Sequence, residues 1–158
     1  ISYGCEGKTR KRAENEVQAE SQLLDQAYVV FERYQKRKKL FAELRSIKYR
    51  FMAAFGIQAG EPFTELDRIL GKIFSSARML GTHYWQRQGR VTMSEEAFQK
   101  HLDEMYKHEA VFWWTGDEED RIDSRMRNVI NQVEKVTKIT VEKSSVMSVR
   151  LPNPLKKR

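Results

Sequence analysis

RYQKRKKLFAEL, residues 33–44, places four consecutive cations, Lys36, Arg37, Lys38 and Lys39, inside a stretch that otherwise reads as one amphipathic helix. From Thr9 to Phe55 there is no proline, and no glycine separates Gly7 from Gly56, while Ala, Leu, Glu, Lys and Arg dominate. That composition favours helix. Apolar positions fall at Val17, Leu24, Ala27, Tyr28, Phe31 and Tyr34, then at Leu40, Phe41, Leu44, Ile47, Phe51, Met52 and Phe55. Stepping at about 100° per residue, the first set centres roughly a quarter to a third of a turn from the second. The slip falls on the cations. A long N-terminal helix, broken or phase-shifted near residue 37, is expected, with its two halves facing different partners. An unbroken helix over this stretch would run about 70 Å. Residues 9–32 are therefore expected to project as a stalk or oligomerising arm, with residues 40–55 in the core.

The cations admit three uses: contact with nucleic-acid phosphate, contact with an anionic membrane, or solvation of a register break. Arg33, Lys36, Arg37, Lys38 and Lys39 are the candidate anion-binding group, followed by Arg45, Lys48 and Arg50. A groove reader concentrates its cations on one face. Here they are spread around the helix. Val17, Leu24, Tyr28 and Phe31 are the candidate self-association stripe of the arm, binding a second copy or a protein partner.

Outward from this stretch, Gly56 and Gly60 bracket a turn, and Pro62 suits the first turn of a second helix. Phe63, Leu66, Leu70, Ile73, Ala77, Leu80 and Tyr84 alternate steps of three and four, ending near Gln88 and Gly89. Ser94 reads as an N-cap for a third helix with a stripe of Phe98, Leu102, Met105, Phe112 and Trp113, and Gly116 as its stop. Asp120 or Asp123 caps a fourth helix that buries Ile122, Met126, Val129, Ile130, Val133, Val136 and Ile139. The fold expected is all-α, an antiparallel four-helix up-down bundle joined by short connections. Residues 1–32 form a basic arm, 33–140 the bundle, and 141–158 a basic extended or disordered tail.

Composition limits the function. The 158 residues are 40% hydrophobic and 32% charged, with three prolines, which describes a helix-rich folded chain of one domain's size. A single cysteine, Cys5, excludes an internal disulfide framework, and a reducing cytosol is the default compartment. The net charge of +7 sits at the ends: residues 1–60 hold twelve Lys/Arg against seven Asp/Glu, residues 61–140 twelve against fourteen, and residues 141–158 five against one. No stretch is long and apolar enough to span a membrane. The first residue is Ile1, and Lys8, Arg10, Lys11 and Arg12 have the sign of a positive-inside flank, so this start reads either as the inner edge of a membrane anchor or as a domain boundary, and the expected placement is cytoplasmic, with the inner face of the membrane as one option.

Enzyme chemistry finds little support. His101, Glu104 and His108 share a helix face at metal-ligand spacing, but no second Glu-x-x-His accompanies them, and a histidine beside a buried stripe is ordinarily a boundary residue. GDEEDRID, residues 116–123, is oxygen-rich but lacks the calcium-loop spacing. Phosphate-cradling glycine motifs are absent. No metal and no cofactor is expected. Of the adjacent Trp113 and Trp114, one is expected to close the core and the other, taken as Trp114, to offer a partner an aromatic anchor.

FTELDRILGKI (residues 63–73) followed by FWWTGDEEDRIDSRMRNVINQVEKV (residues 112–136) resembles small uncharacterised bacterial proteins with an N-terminal membrane helix and a cytoplasmic helical domain. The resemblance implies placement rather than catalysis. The chain is expected to be a non-enzymatic interaction or scaffold domain of a membrane-associated or multi-subunit assembly. The alternative is a nucleic-acid-binding helical protein that uses residues 33–50 and the basic tail.

Overall fold

The computed structural model of the chain describes residues 6–87, 93–113 and 120–149, the last ten of these by backbone alone. Its described residues are helical with no strand, so the protein is all-α. Helix α1 spans Gln18–Lys36, α2 Lys38–Phe55, α3 Glu61–Met79, α4 Glu95–Phe112 and α5 Arg121–Val149. None of them is long and apolar enough to cross a membrane.

The break falls at Arg37, whose φ of −112° and ψ of 14° leave the helical region between α1 and α2. Neither proline nor glycine causes it. On its inner side Phe31 stacks on Phe74 of α3 at 5.1 Å, Tyr34 meets Phe74 edge-on at 5.1 Å, and Tyr34 and Phe41 lie 4.6 Å apart. Residues seven apart rise about 10 Å along a straight helix, so the chain bends to bring the Tyr34 and Phe41 rings together. The two halves consequently do not face different partners, as their phase difference implied. Both lie antiparallel along α3, α1 with Phe31 and Tyr34 beside Phe74, and α2 with Arg45 beside Asp67 and Phe51 beside Phe63.

Helix α3 packs against each of the other four. Its sequence stripe is one of two covered faces. Ile69, off that stripe, is almost wholly buried on the flank where Glu65 pairs with Arg125 of α5 at 2.6 Å. Beyond Met79 the helix continues through a π-helical turn, Leu80–Tyr84, into Trp85–Arg87, with the Trp85 amide donating to the Leu80 carbonyl. Leu80 and Trp85 would point about 140° apart on a regular α-helix. The five-residue π repeat lets both enter one core with Ala27 and Met105.

Three expectations are corrected. The first helix begins at Gln18 rather than Thr9, and residues 6–17 fold back along α1. Helix α1 is no projecting stalk, because Ala27 and Val29 are buried and α1 packs on α3. The last helix continues to Val149, since nothing between Thr140 and Pro152 forbids helix, and only the proline disfavours it. Residues 150–158 lie outside the described residues. Caps were better specified: Ser94 Oγ accepts from the Ala97 amide at 3.3 Å, and Asp120 Oδ1 accepts from Ile122 at 2.8 Å.

Candidate interaction surface

The cations of residues 33–39 divide in two at the break. Arg33 forms a two-point pair with Glu6, at 3.0 and 2.6 Å, and Lys36 pairs with the buried Glu32 at 2.7 Å. Arg37, Lys38 and Lys39 are exposed and make no ion pair among the described residues. They stand on the outside of the bend whose inner side is aromatic. Of the candidate group, these three keep their charge for an external partner.

Helix α2 continues this surface. Lys48 donates to Thr64 Oγ1 at 2.9 Å and Arg45 to Tyr34 Oη at 3.1 Å, so these two tie α2 to its neighbours. Helix α2 contains no buried residue, although its sequence placed it in the core. Phe41, Leu44, Phe51, Met52 and Phe55 are half-buried towards α3 and the turn Ile57–Gly60. Leu40 remains 49% exposed and Ile47 43%, and Ile57 beyond the helix end is 82% exposed. By helical position Leu40 and Ile47 share an edge flanked by Lys39, Glu43 and Arg50, whereas Tyr49, 70% exposed, lies on the opposite face with Lys38 and Arg45. Between residues 33 and 60 Glu43 is the sole acid. The surface is thus cationic with exposed apolar side chains among the charges.

Of the self-association stripe, Leu24, Tyr28 and Phe31 are half-buried against α3, where they line a cavity of about 110 Å³ with Ala77 and Gly81. Val17 is 59% exposed. Arg10 and Arg12, read as a membrane flank, are instead engaged with α1. Arg10 bonds Asp25 at 2.9 Å and also Glu16, and Arg12 bonds Asp25 at 2.7 Å. Arg10 holds Glu16 down at about 2, against an ordinary 4.5. Glu32 is likewise lowered by Lys36 and by the Gly7 amide, which donates to it at 2.6 Å.

Phe112 and Trp113 close the core. Trp113 stacks on Trp85 at 6.3 Å, and Trp85 Nε1 donates to Glu109 at 2.8 Å. Trp114 and the acidic loop up to Glu119 lie outside the described residues, as does Cys5. Leu102, Met105, Phe112 and Trp113 of the expected α4 stripe face the core, and the departure is at its start. His101 and Met105 are buried while Phe98 is 39% exposed, because α4 crosses the π turn at Tyr84, whose ring lies 5.3 Å from His101 and 5.2 Å from His108. Ile130 and Ile139, expected in the core, are also exposed. His83 meets Tyr84 at 5.0 Å, so all three histidines of the chain surround one tyrosine. His101 Nε2 is buried with no hydrogen-bond partner among the described residues. His108 Nδ1 bonds Ser76 Oγ at 3.1 Å and Glu104 bonds Lys107 at 2.6 Å. Among the described residues, no three His, Cys, Asp or Glu side chains form a group able to hold a metal.

The partly exposed apolar edge of α2 was legible only indirectly. Its periodicity is that of a core helix, and what distinguishes it is a second apolar face on α3 that draws α5 rather than α2 into close packing. No family model matches the chain, and neither a curated protein nor a solved structure matches it.

Proposed function

We propose that this chain is a non-enzymatic helical interaction or scaffold domain, an up-down antiparallel bundle of the kinked α1–α2 rod, α3, α4 and α5. It works at the cytoplasmic face of a membrane-associated assembly and docks on anionic lipid through α2. The observation that carries this reading is the group of Arg37, Lys38 and Lys39 at the bend, unpaired among the described residues and next to exposed Leu40 and Ile47. Interfacial helices combine apolar side chains, which enter the headgroup boundary, with cations that meet anionic headgroups. The resemblance to membrane-anchored bacterial proteins is in keeping with that placement.

The exposed Tyr49, on one face of α2 with Lys38 and Arg45, favours a second reading, nucleic-acid binding, because an aromatic beside cations offers a stacking surface next to phosphate contacts. One experiment separates the two. The full chain is sedimented with phosphatidylglycerol vesicles, with neutral phosphatidylcholine vesicles and, in a parallel gel shift, titrated with duplex DNA. Each juxtamembrane cation contributes about 1 kcal/mol at an anionic surface, and Lys38 lies on the far side of α2 from Leu40 and Ile47, so the triple variant Arg37→Gln, Lys38→Gln, Lys39→Gln is expected to bind anionic vesicles about 30-fold more weakly. Binding to DNA alone selects the second reading. Binding to neither rejects both.

A further inference from the structure

A cleft of about 420 Å³ opens where α3, α4 and α5 meet, on the flank of α3 that carries Ser75 and Ser76. Each helix contributes one cation to it: Lys72 from α3, Lys107 from α4 and Arg121 from α5. Glu104 is the carboxylate in its lining, and it is held by Lys107 at 2.6 Å. Lys72 and Arg121 make no ion pair among the described residues. Among the described residues the lining therefore carries net positive charge, brought together from three separate helices at the cost of mutual repulsion. An ordinary helix junction would place apolar or oppositely charged groups here.

The remaining groups suit the same sign of ligand. Ser76, itself buried, bonds His108 Nδ1 at 3.1 Å, and that bond fixes the imidazole at the cleft wall. Ser75 adds a second hydroxyl. Burial foremost, with Lys72 also lowering it and Glu104 opposing, holds His108 below its ordinary value, so near neutrality it is an uncharged hydrogen-bonding group. The amides at the start of α5 are not part of the device, because Asp120 Oδ1 already accepts from Ile122 and Asp123. Recognition falls to side chains. Two available cations with a hydroxyl and an imidazole are the chemistry that holds a phosphate dianion. The volume exceeds what a bare phosphate fills, and Ala110 and Val111 give part of the wall an apolar character suited to a small carbon skeleton.

We infer that this cleft binds a small phosphate monoester, with Lys72 and Arg121 on the phosphate from opposite sides and Ser75 and His108 supplying hydrogen bonds. The site is separate from the bend at Arg37 and independent of what α2 binds. Phosphate of this kind reaches a protein either as a soluble metabolite or as a phosphorylated lipid headgroup, and glycerol 3-phosphate represents both chemistries. The full chain is titrated with glycerol 3-phosphate, with inorganic phosphate, and with vesicles carrying phosphatidic acid, while backbone amide shifts are followed. Saturable shifts are expected at residues 72–76, 107–108 and 121, tighter for glycerol 3-phosphate than for inorganic phosphate. Response to the vesicles but not to the soluble ester assigns the headgroup as the source. The double variant Lys72→Gln, Arg121→Gln, both exposed positions, is expected to lose at least about tenfold in affinity with an unchanged melting temperature. Arg37→Gln, Lys38→Gln, Lys39→Gln is expected to retain the affinity for soluble glycerol 3-phosphate. No saturable shift at about 10 mM of either phosphate or with the vesicles, or an equal loss in both variants, overturns the assignment.

Discussion

Replacing Gly7 by alanine tests how residues 6–17 are held on α1. Gly7 has a φ of +83°, and a Cβ built on it would collide with the Asp25 carbonyl oxygen. That oxygen belongs to the α1 backbone and cannot rotate away. An alanine in left-handed backbone costs about 1–2 kcal/mol. Relieving the clash also lifts the Gly7 amide from the Glu32 carboxylate, now 2.6 Å away, and a hydrogen bond to a charged group contributes about 1.5–3 kcal/mol. The sum is about 2.5–5 kcal/mol, enough to raise the open population of this segment roughly 70-fold to several thousand-fold. The segment can escape by leaving α1, so the loss is expected to be local. Amide hydrogen exchange measures it: position 7 and the Glu16 amide, which donates to Ala13 at 3.2 Å, should exchange faster by that factor, while Leu80 and Met105 keep their protection. Gly56 is the control. It also has positive φ, at +94°, but a methyl group there would meet nothing within 4 Å, so Gly56→Ala should lower the melting temperature without altering exchange at position 7. Unchanged protection at position 7 in Gly7→Ala would refute the docked N-terminal segment.

Two further perturbations bear on the core and on pH. In the π turn, a Cβ at Gly81 would lie 2.6 Å from Ala27 Cβ, so Gly81→Ala should destabilise by about 1–3 kcal/mol through overpacking, and Ala27→Gly should restore much of the loss, read as denaturation midpoints. Acid should act in two windows. His83 and His108 are held below their ordinary 6.5, foremost by burial, so the unfolded chain gains protons first and stability declines as pH falls from about 6.5. Glu6, Glu16, Glu32, Glu65 and Glu104 are lowered by hydrogen bonds from Arg33, Arg10, Lys36, Arg125 and Lys107 respectively. Their stabilisation is present above about 4.5 and is lost as pH falls, for Glu16 towards about 2. Melting temperature against pH checks both windows; the upper one should flatten in the double variant His83→Asn, His108→Gln, and its persistence there would contradict the histidine assignment.

The parts of this architecture that sequence revealed are those fixed by apolar spacing and by caps. The helical rhythm of α3 from Phe63 to Ala77, the caps at Ser94 and Asp120 and the discontinuity at Arg37 all leave a local signature. What stayed hidden depends on groups distant in sequence. Residues 6–17 are held by Arg10, Arg12, Gly7 and Glu6 on partners in α1, interactions with no periodicity to read. The π turn was concealed because Leu80 and Tyr84 fit an ordinary step of four, and the need for Trp85 on the same face appears only once Met105 and Ala27 surround it. His101 was placed at a boundary because the α4 stripe was drawn through Phe98, whereas the crossing at Tyr84 turns His101 inward beside the expected Met105. The candidate surface was half legible: all five cations of residues 33–39 were identified, but their division into the paired Arg33 and Lys36 and the remaining Arg37, Lys38 and Lys39 follows from Glu6 and Glu32.

The role of α2 is tested most directly by nitroxide labels on single cysteines in a Cys5→Ser background, one each at Leu40→Cys, Ile47→Cys and, on exposed α4, Gln99→Cys. On addition of phosphatidylglycerol vesicles the labels at 40 and 47 should lose contact with a water-soluble relaxation agent and gain it with oxygen, while the label at 99 stays in water. Labels at 40 and 47 that remain as accessible to water as the one at 99 would mean that α2 does not dock on the lipid surface.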